Sequence, residues 1–170
     1  MDLKSVIRNI PDFPKKGIIF KDITTLLKNP DAFREAINLM ANHYKDYDFD
    51  YIVGIEARGF IVGAPMAIQM GKGFIPIRKP GKLPGETISM RYELEYGSNE
   101  IEIHKDAIRP GDKVLIIDDL LATGGTVAAA VKMIKELGGK LQGIGFLLEL
   151  SFLNGRELLK GEDIFSLLRE

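Results

Sequence analysis

Residues 114–126 are Val-Leu-Ile-Ile-Asp-Asp-Leu-Leu-Ala-Thr-Gly-Gly-Thr. The first four form an uninterrupted apolar run, which is typical of a strand buried on both faces of a parallel sheet. Two acids and a glycine-containing turn follow, and apolar residues then recur at helical spacing over 126–137 until Gly138. The stretch therefore predicts a buried strand, a polar turn and a helix, in that order.

The same order occurs earlier in the chain. An apolar run at 51–55 leads into Glu-Ala-Arg-Gly at 56–59, and a helical pattern over 60–70 stops at Gly71. Further elements are predicted from similar patterns: strands over 74–77 and 144–148, and an amphipathic helix over 30–45. Apolar strands that alternate with helices indicate an α/β fold with an open, doubly wound, mainly parallel sheet.

The composition fits one compact domain without a strongly charged partner. The chain has 170 residues, 45% of them hydrophobic, and 23 Lys and Arg against 24 Asp and Glu give a formal net charge of −1. A near-neutral chain does not bind nucleic acid or an anionic membrane through bulk charge. The absence of cysteine excludes disulfides, a thiol nucleophile and thiolate metal sites. With His43 and His104 as the two histidines, a bound metal would be a hard ion held by oxygen atoms.

The sequence also bears on location. Its first residues lack the basic stretch followed by an apolar run that a secretory signal has. No apolar segment approaches the roughly 18–20 residues that span a membrane. We therefore expect a cytoplasmic protein.

The turn after the strand at 114–117 has the chemistry of a phosphate site. In open α/β sheets, ligands bind beyond the carboxyl ends of the strands. Gly124 and Gly125 allow a tight turn whose N–H groups converge at the start of a helix, and Thr123 and Thr126 add hydroxyl donors. Such a turn makes a cradle for phosphate.

The two acids before this turn add a second requirement. Asp118 and Asp119 would repel a phosphate, and they suit sugar hydroxyls or a magnesium ion beside it. Together, acids and turn predict a sugar-phosphate ligand. The alternative is structural: the acids cap a helix and the glycines only turn the chain.

Residues 114–126 resemble the phosphoribosyl diphosphate (PRPP) signature of the type I phosphoribosyltransferases, in the form found in the adenine-specific members of that family. The resemblance extends over nearly the whole chain. It is carried by Phe-Pro at 13–14, Gly-Ile-Ile-Phe-Lys-Asp-Ile at 17–23, Glu-Ala-Arg-Gly-Phe at 56–60, Arg-Lys-Pro-Gly-Lys-Leu-Pro-Gly at 78–85, Leu-Glu-Tyr-Gly at 94–97, Glu-Leu at 149–150 and Gly-Arg-Glu at 155–157.

This resemblance implies a pentosyltransferase of purine salvage. Adenine N9 would displace pyrophosphate from the anomeric carbon of PRPP and give AMP, through a transition state with oxocarbenium character. The cofactor would be Mg²⁺, bound mainly through PRPP and water with Asp118 and Asp119 nearby. The resemblance also implies a homodimer.

The resemblance also implies how PRPP is held. Asp118 and Asp119 would bind the ribose hydroxyls. The 5′-phosphate would be bound by Ala122, Thr123, Gly124, Gly125 and Thr126, and the pyrophosphate by Glu56, Ala57, Arg58, Arg78, Lys79 and Lys82. Arg58 would also be catalytic, because positive charge must offset the charge that develops on the leaving group. The resemblance also implies that the peptide bond between Glu56 and Ala57 is a candidate for the cis conformation.

For the base, the resemblance implies that Phe20 stacks on adenine, in a pocket lined by Ile19, Lys21, Leu120 and Leu150. The polar stretch at about 79–100 departs from the strand and helix pattern, and we expect a mobile excursion from the sheet that forms a hairpin. This stretch would be the family's lid, which excludes water from the activated sugar and brings Glu95 to the base, with Tyr96 beside it. Glu95 would be catalytic, because its carboxyl could exchange a proton with a ring nitrogen of the base.

The implied organisation is a single domain of residues 1–170, with a small hood formed by about 1–28 and the C-terminal region. Two alternatives remain open. One is a regulatory module that senses PRPP without turnover, against which Arg58, the lid and Glu95 argue. The other is an enzyme that uses hypoxanthine, guanine or xanthine, against which the segment around Phe20 argues.

Overall fold

The computed structural model describes residues 1–94 and 97–170. In chain order these residues form β1 (Arg8–Pro11), β2 (Ile19–Asp22), α1 (Thr24–Lys28), α2 (Pro30–His43), β3 (Tyr51–Ile55), α3 (Arg58–Met70), β4 (Gly73–Ile77), β5 (Thr87–Leu94), β6 (Gly97–His104), β7 (Lys113–Leu121), α4 (Gly125–Glu136), β8 (Lys140–Glu149) and β9 (Ile164–Arg169). Short 3₁₀ turns at Leu3–Val6, Ser151–Leu153 and Gly155–Leu159 complete the described structure.

The centre of the molecule is a five-stranded parallel sheet with the order β4-β3-β7-β8-β9. Side chains of the central strand β7 alternate between the two faces. Val114 and Ile116 pack into a core under α4 and β6, whereas Leu115 and Ile117 pack into a second core under α2 and α3. Because both faces are covered, the strand is apolar without interruption. The predicted doubly wound α/β fold is confirmed.

The sheet extends further than the apolar runs indicated. Strand β7 continues through Asp118 and Asp119 to Leu121, because it stays paired with β8 as far as Glu149. The two acids therefore lie inside the strand, and the prediction that the strand ends before them was wrong. Edge strand β9 was not predicted, and all its side chains are partly or fully exposed.

The polar stretch after β4 contains the predicted hairpin. β5 and β6 pair as antiparallel strands, and β6 returns as far as His104, beyond the predicted end at about 100. Side chains of β5 and β6 pack against the core that α4 covers. The backbones of Arg78 and Glu102 exchange hydrogen bonds of 2.9 and 2.7 Å, which joins the hairpin to the end of β4.

The N-terminal strands β1 and β2 form a separate two-stranded antiparallel sheet. Buried Asp22 holds this sheet together by accepting hydrogen bonds from Thr24 and Arg8, and these bonds lower the pKa of Asp22 to about 2. The Lys21 Nζ lies 3.5 Å from Oε2 of Glu170. The N-terminal sheet therefore contacts the C-terminal end of the chain. None of the helices described here is long and apolar enough to cross a membrane.

Candidate active site

Two of the predicted loops line one cavity at the carboxyl end of the sheet. The cavity has a volume of about 210 Å³. It is lined by the end of β3 and start of α3 (Ile55, Glu56, Ala57 and Arg58) and by the continuous stretch Asp118–Val127. The structure therefore brings together the residues predicted for ribose and 5′-phosphate with three of those predicted for pyrophosphate.

The turn between β7 and α4 needs its glycine at 124. Gly124 has φ +88°, a conformation that other residues rarely adopt, and a Cβ there would lie 2.5 Å from the carbonyl oxygen of Gly155. Gly155 is equally constrained, since its own Cβ would lie 2.5 Å from the carbonyl oxygen of Ala122. The backbone at Gly155 thus supports the turn from outside, and α4 begins at Gly125 directly beside it.

The two acids of β7 are buried at the floor of this cavity. Asp118 is 8% exposed and Asp119 is 6% exposed, and Oδ1 of Asp118 accepts a hydrogen bond of 2.9 Å from the Asp119 N–H. Burial and the neighbouring Asp119 charge raise the pKa of Asp118 well above its usual range. The start of α3 approaches closely, because a Cβ on Gly59 would lie 2.5 Å from Oδ1 of Asp118.

Arg58 joins the two loops across the cavity. Its Nε lies 2.9 Å from Oδ2 of Asp119, and its side chain remains 49% exposed. Arg58 is the first residue of α3, directly after Ala57. The peptide bond between Glu56 and Ala57 is cis, as predicted.

A second cavity of about 430 Å³ adjoins the first and shares Ile55, Glu56 and Thr126 with it. Its cationic lining residues are Arg78, Lys79 and Arg91. Lys82 lines neither of these two cavities, and its carbonyl oxygen accepts a hydrogen bond from Arg78 at 3.4 Å. Arg91 was not among the predicted site residues. Its positive charge in the hairpin was a signal that could have found it.

The Glu56 carboxylate positions the cationic segment of the second cavity. Its Oε1 accepts hydrogen bonds from the backbone N–H of Lys79 at 2.8 Å and from Nε of Arg78 at 3.2 Å. The Lys79 hydrogen bond and the charge of Arg78 lower the pKa of Glu56. The side chain of Glu56 is therefore engaged with protein groups, and the cations beside it face the cavity.

The residues predicted for the base lie on two parts of the fold. Ile19, Phe20 and Lys21 are on β2, where the Phe20 ring packs edge-on against Phe13 with 5.2 Å between the ring centroids. Leu120 and Leu150 pack against the core that α2 and α3 cover, and the Leu150 N–H bonds to the Leu121 carbonyl oxygen. Glu170 links the two parts, because its side chain pairs with Lys21 and its carbonyl oxygen accepts a hydrogen bond from Ser151.

The structural role of Glu149, a buried carboxylate beside Leu150, was not predicted from the sequence. Glu149 ends β8 and accepts hydrogen bonds from Nε and Nη2 of Arg156, each 2.8 Å long, and one of 2.5 Å from Ser166. These bonds lower the pKa of Glu149 to about 2, and the bonds from Arg156 have the largest effect. Because Arg156 follows Gly155, the ion pair anchors the segment that supports the β7–α4 turn.

The remaining predictions concern the lid, the metal and the histidines. Glu95 and Tyr96 lie outside the described residues. Within the part of the chain that the structure describes, no group of three or more His, Asp or Glu side chains could hold a metal. His43 stacks on Phe165, and His104 contacts the Pro84 carbonyl oxygen at 2.7 Å, so both have structural partners away from the first cavity.

Comparison with known proteins identifies the family. The model of the phosphoribosyl transferase domain matches residues 22–151. The adenine phosphoribosyltransferase of Halothermothrix orenii is 67% identical over 170 residues, which is 100% of both chains. The chain belongs to the adenine phosphoribosyltransferases. This confirms the resemblance found in the sequence.

Solved structures agree with this assignment to the adenine phosphoribosyltransferases. The enzyme of that name from Thermoanaerobacter pseudethanolicus superposes with a TM-score of 0.96 at 55% identity, covering 99% of this chain and 98% of the other. The Saccharomyces cerevisiae adenine phosphoribosyltransferase superposes with a TM-score of 0.92 at 42% identity, covering 98% and 97%. That structure is a complex with D-2,5-dideoxy-2,5-imino-altritol 1,6-bisphosphate and adenine.

Proposed function

We propose that the protein transfers the 5-phosphoribosyl group from PRPP to N9 of adenine, releasing pyrophosphate and giving AMP for purine salvage. The observation that carries this proposal is the first cavity. There the buried acids Asp118 and Asp119, the Gly124 turn and Arg58 line one space. PRPP requires carboxylates that bind its ribose hydroxyls, a turn that binds its 5′-phosphate and a cation beside its pyrophosphate leaving group.

The sugar end of PRPP fits the β7–α4 turn. The N–H groups of the turn and the hydroxyls of Thr123 and Thr126 donate to the 5′-phosphate, at the positive end of α4. Asp118 and Asp119 accept hydrogen bonds from the ribose hydroxyls. Both acids are largely buried but line the cavity, so the hydroxyls of a bound ribose supply hydrogen-bond partners to them there.

The pyrophosphate end fits the cations. Arg58 leaves Asp119 and turns to the leaving group, while Arg78 and Lys79 act from the second cavity. Lys82 joins them by rotation of its exposed side chain. These charges stabilise the developing pyrophosphate more than the intact ester, which lowers the barrier to C–O cleavage.

The donor set fits Mg²⁺ only as an ion carried by the substrate. Asp118 and Asp119 are oxygen donors in the first cavity, whereas the third carboxylate that lines it, Glu56, is hydrogen-bonded to Arg78 and Lys79. Among the described residues these side chains do not form a group that could hold a metal by themselves. Mg²⁺ would therefore be held by PRPP and water, with Asp118 and Asp119 nearby. When bound, it neutralises pyrophosphate charge.

The adenine site is built from the hood and the lid. Phe20 stacks on the base, Ile19 and Lys21 contact its edge, and Leu120 and Leu150 line the opposite side. Lid residues at about 79–100 cover the site, with Glu95 exchanging a proton with a ring nitrogen and Tyr96 beside it. The link from Lys21 through Glu170 to Ser151 supports a hood made of about 1–28 and the C-terminal region of one domain, 1–170.

The chain also has a surface suited to a homodimer. Helix α3 carries Ile61 and Ile68, which are 41% and 84% exposed. They are two helical turns apart and therefore share one face. An exposed apolar face of this kind fits a second copy of the chain. Light scattering should give twice the chain mass of 18.9 kDa.

The test of the function is a base panel. Purified protein, Mg²⁺ and PRPP are mixed with adenine, hypoxanthine, guanine or xanthine, and nucleotide and pyrophosphate are followed. AMP from adenine alone supports the proposal. Turnover of another base would retain the PRPP site and overturn the base pocket, and PRPP binding without turnover would make the protein a sensor.

A further inference from the structure

The hairpin contacts the start of α4 through the side chain of Tyr92. The Thr126 hydroxyl donates a 2.9 Å hydrogen bond to the Tyr92 hydroxyl oxygen. The Tyr92 ring also lies over the start of α4, because a Cβ on Gly125 would be 3.5 Å from Cδ2 of the ring. Tyr92 is thus packed and hydrogen-bonded against both residues that open the helix.

The position of this contact is informative. Thr126 lines both cavities, and Tyr92 lines the second cavity with Arg78 and Lys79. Tyr92 is half-buried in β5, two residues before Leu94. The Tyr92–Thr126 hydrogen bond therefore connects the hairpin to a hydroxyl that is predicted to bind the 5′-phosphate.

From this geometry we propose that Tyr92 is a positioning residue, which orients the Thr126 hydroxyl toward the 5′-phosphate and anchors the hairpin when phosphate is bound. This inference rests on the proposed function, because it takes Thr126 to be a phosphate donor.

The chemistry follows from the number of protons available. The Thr126 hydroxyl has one proton and cannot donate it to both Tyr92 and a phosphate oxygen. When the Thr126 hydroxyl donates its hydrogen bond to a phosphate oxygen, the Tyr92 hydroxyl can rotate and donate in turn to Oγ1 of Thr126. The resulting chain runs from Tyr92 through Thr126 to phosphate, and each bond polarises the next. PRPP thereby strengthens a contact that holds β5 on α4.

The experiment is a double-mutant cycle with Tyr92→Phe, Thr126→Val and the double variant. PRPP binding is measured by calorimetry with Mg²⁺ and without adenine. Amide hydrogen exchange of residues 87–94 is followed with and without PRPP. The matched control is Tyr47→Phe, which removes a hydroxyl bonded to Asp163 at 2.5 Å, outside both cavities.

We expect Tyr92→Phe to weaken PRPP binding about 5-fold, the effect of one net hydrogen bond. The melting temperature of the free protein should fall only slightly, because the variant also loses the Tyr92–Thr126 bond of the free protein. PRPP should protect the amides of residues 87–94 in the wild type and less so in this variant. In the Thr126→Val background, the Phe substitution should have no further effect, because Tyr92 acts through Thr126. The Tyr47→Phe control should bind PRPP normally.

Wild-type affinity in Tyr92→Phe would overturn the inference, and so would independent effects of the two substitutions. Failure of the proposed function is distinguishable. A wild type that binds PRPP but makes no AMP contradicts the enzyme while the cycle still tests Tyr92. A wild type that does not bind PRPP overturns both.

Discussion

The Arg58 Nε lies 2.9 Å from Oδ2 of Asp119, so the cation predicted for pyrophosphate neutralises an acid predicted for ribose. Without ligand, this ion pair offsets the charge of one of two adjacent buried carboxylates. PRPP would replace both halves of the pair, giving hydroxyls to Asp119 and phosphates to Arg58. Because Arg58 is 49% exposed, its side chain can swing to the leaving group without disturbing the core.

Removing the acid should weaken PRPP use. In Asp119→Asn the amide cannot accept two charge-assisted hydrogen bonds from ribose, so we expect the KM for PRPP to rise at least about 10-fold. Steady-state kinetics with PRPP varied at fixed adenine measures this. Asp48→Asn is the control, since it removes an exposed carboxylate that pairs with Lys113 at the opposite end of the sheet. Near-normal turnover in Asp119→Asn would exclude the ribose-binding role.

Removing the cation should slow the chemical step. Arg58→Gln loses a positive charge that acts on departing pyrophosphate, and we expect kcat to fall by about 100-fold or more. Single-turnover formation of AMP measures the step directly. Arg34→Gln, which loses an exposed arginine paired with Asp31 on α2, should retain full activity. A normal rate in Arg58→Gln would remove this residue from the catalytic group.

The support that the Gly155 backbone gives to the β7–α4 turn is also testable. A Cβ in Gly155→Ala would lie 2.5 Å from the Ala122 carbonyl oxygen, so the turn must shift. We expect the KM for PRPP to rise about 10-fold while the KM for adenine changes little. The control is Gly143→Ala, which lies on β8 away from the turn. There the atom nearest to the added Cβ is a Tyr44 ring carbon at 3.3 Å. Equal kinetics in the two variants would refute a role for Gly155.

The sequence was sufficient for features that are local or that follow from sheet topology. The apolar run before Asp118 predicted the central strand. The family resemblance assigned the Arg58 loop and the Gly124 loop to the two ends of PRPP, and the parallel sheet, which presents the carboxyl ends of its strands at one edge, brings these loops together. Strand β9 escaped prediction, since an edge strand with partly exposed side chains lacks a clear pattern.

Contacts between distant segments could not be predicted in this way. The Tyr92–Thr126 hydrogen bond and the approach of Gly155 to Ala122 depend on how the hairpin and the C-terminal segment pack against α4 and its preceding turn. The register of β7 with β8, which places Asp118 inside a strand, likewise depends on pairing. Resemblance to the family carried the roles of Phe20 and Glu95, and these stay predictions.

The buried Glu149 makes stability depend on pH. Its hydrogen bonds from Arg156 and Ser166 hold its pKa at about 2, below the ordinary value of 4.5. A lowered carboxyl pKa stabilises the folded state above pH 4.5, and this stabilisation disappears as the pH falls toward 2. The pKa difference corresponds to about 3 kcal/mol. Asp22 titrates in the same acid range, so the wild type alone cannot isolate Glu149.

Comparing the wild type with Glu149→Gln isolates the contribution of the Glu149 carboxylate to stability. Urea unfolding should show the variant less stable by about 2–3 kcal/mol at pH 7, because an amide cannot satisfy Arg156 as a carboxylate does. The difference should shrink steadily below pH 4.5, since the wild type then loses the same interaction by protonation. Glu136→Gln, at an exposed position of α4, should give a small difference that does not change with pH. A Glu149→Gln difference that stayed constant down to pH 3 would mean that packing, and not the carboxylate charge, holds this segment.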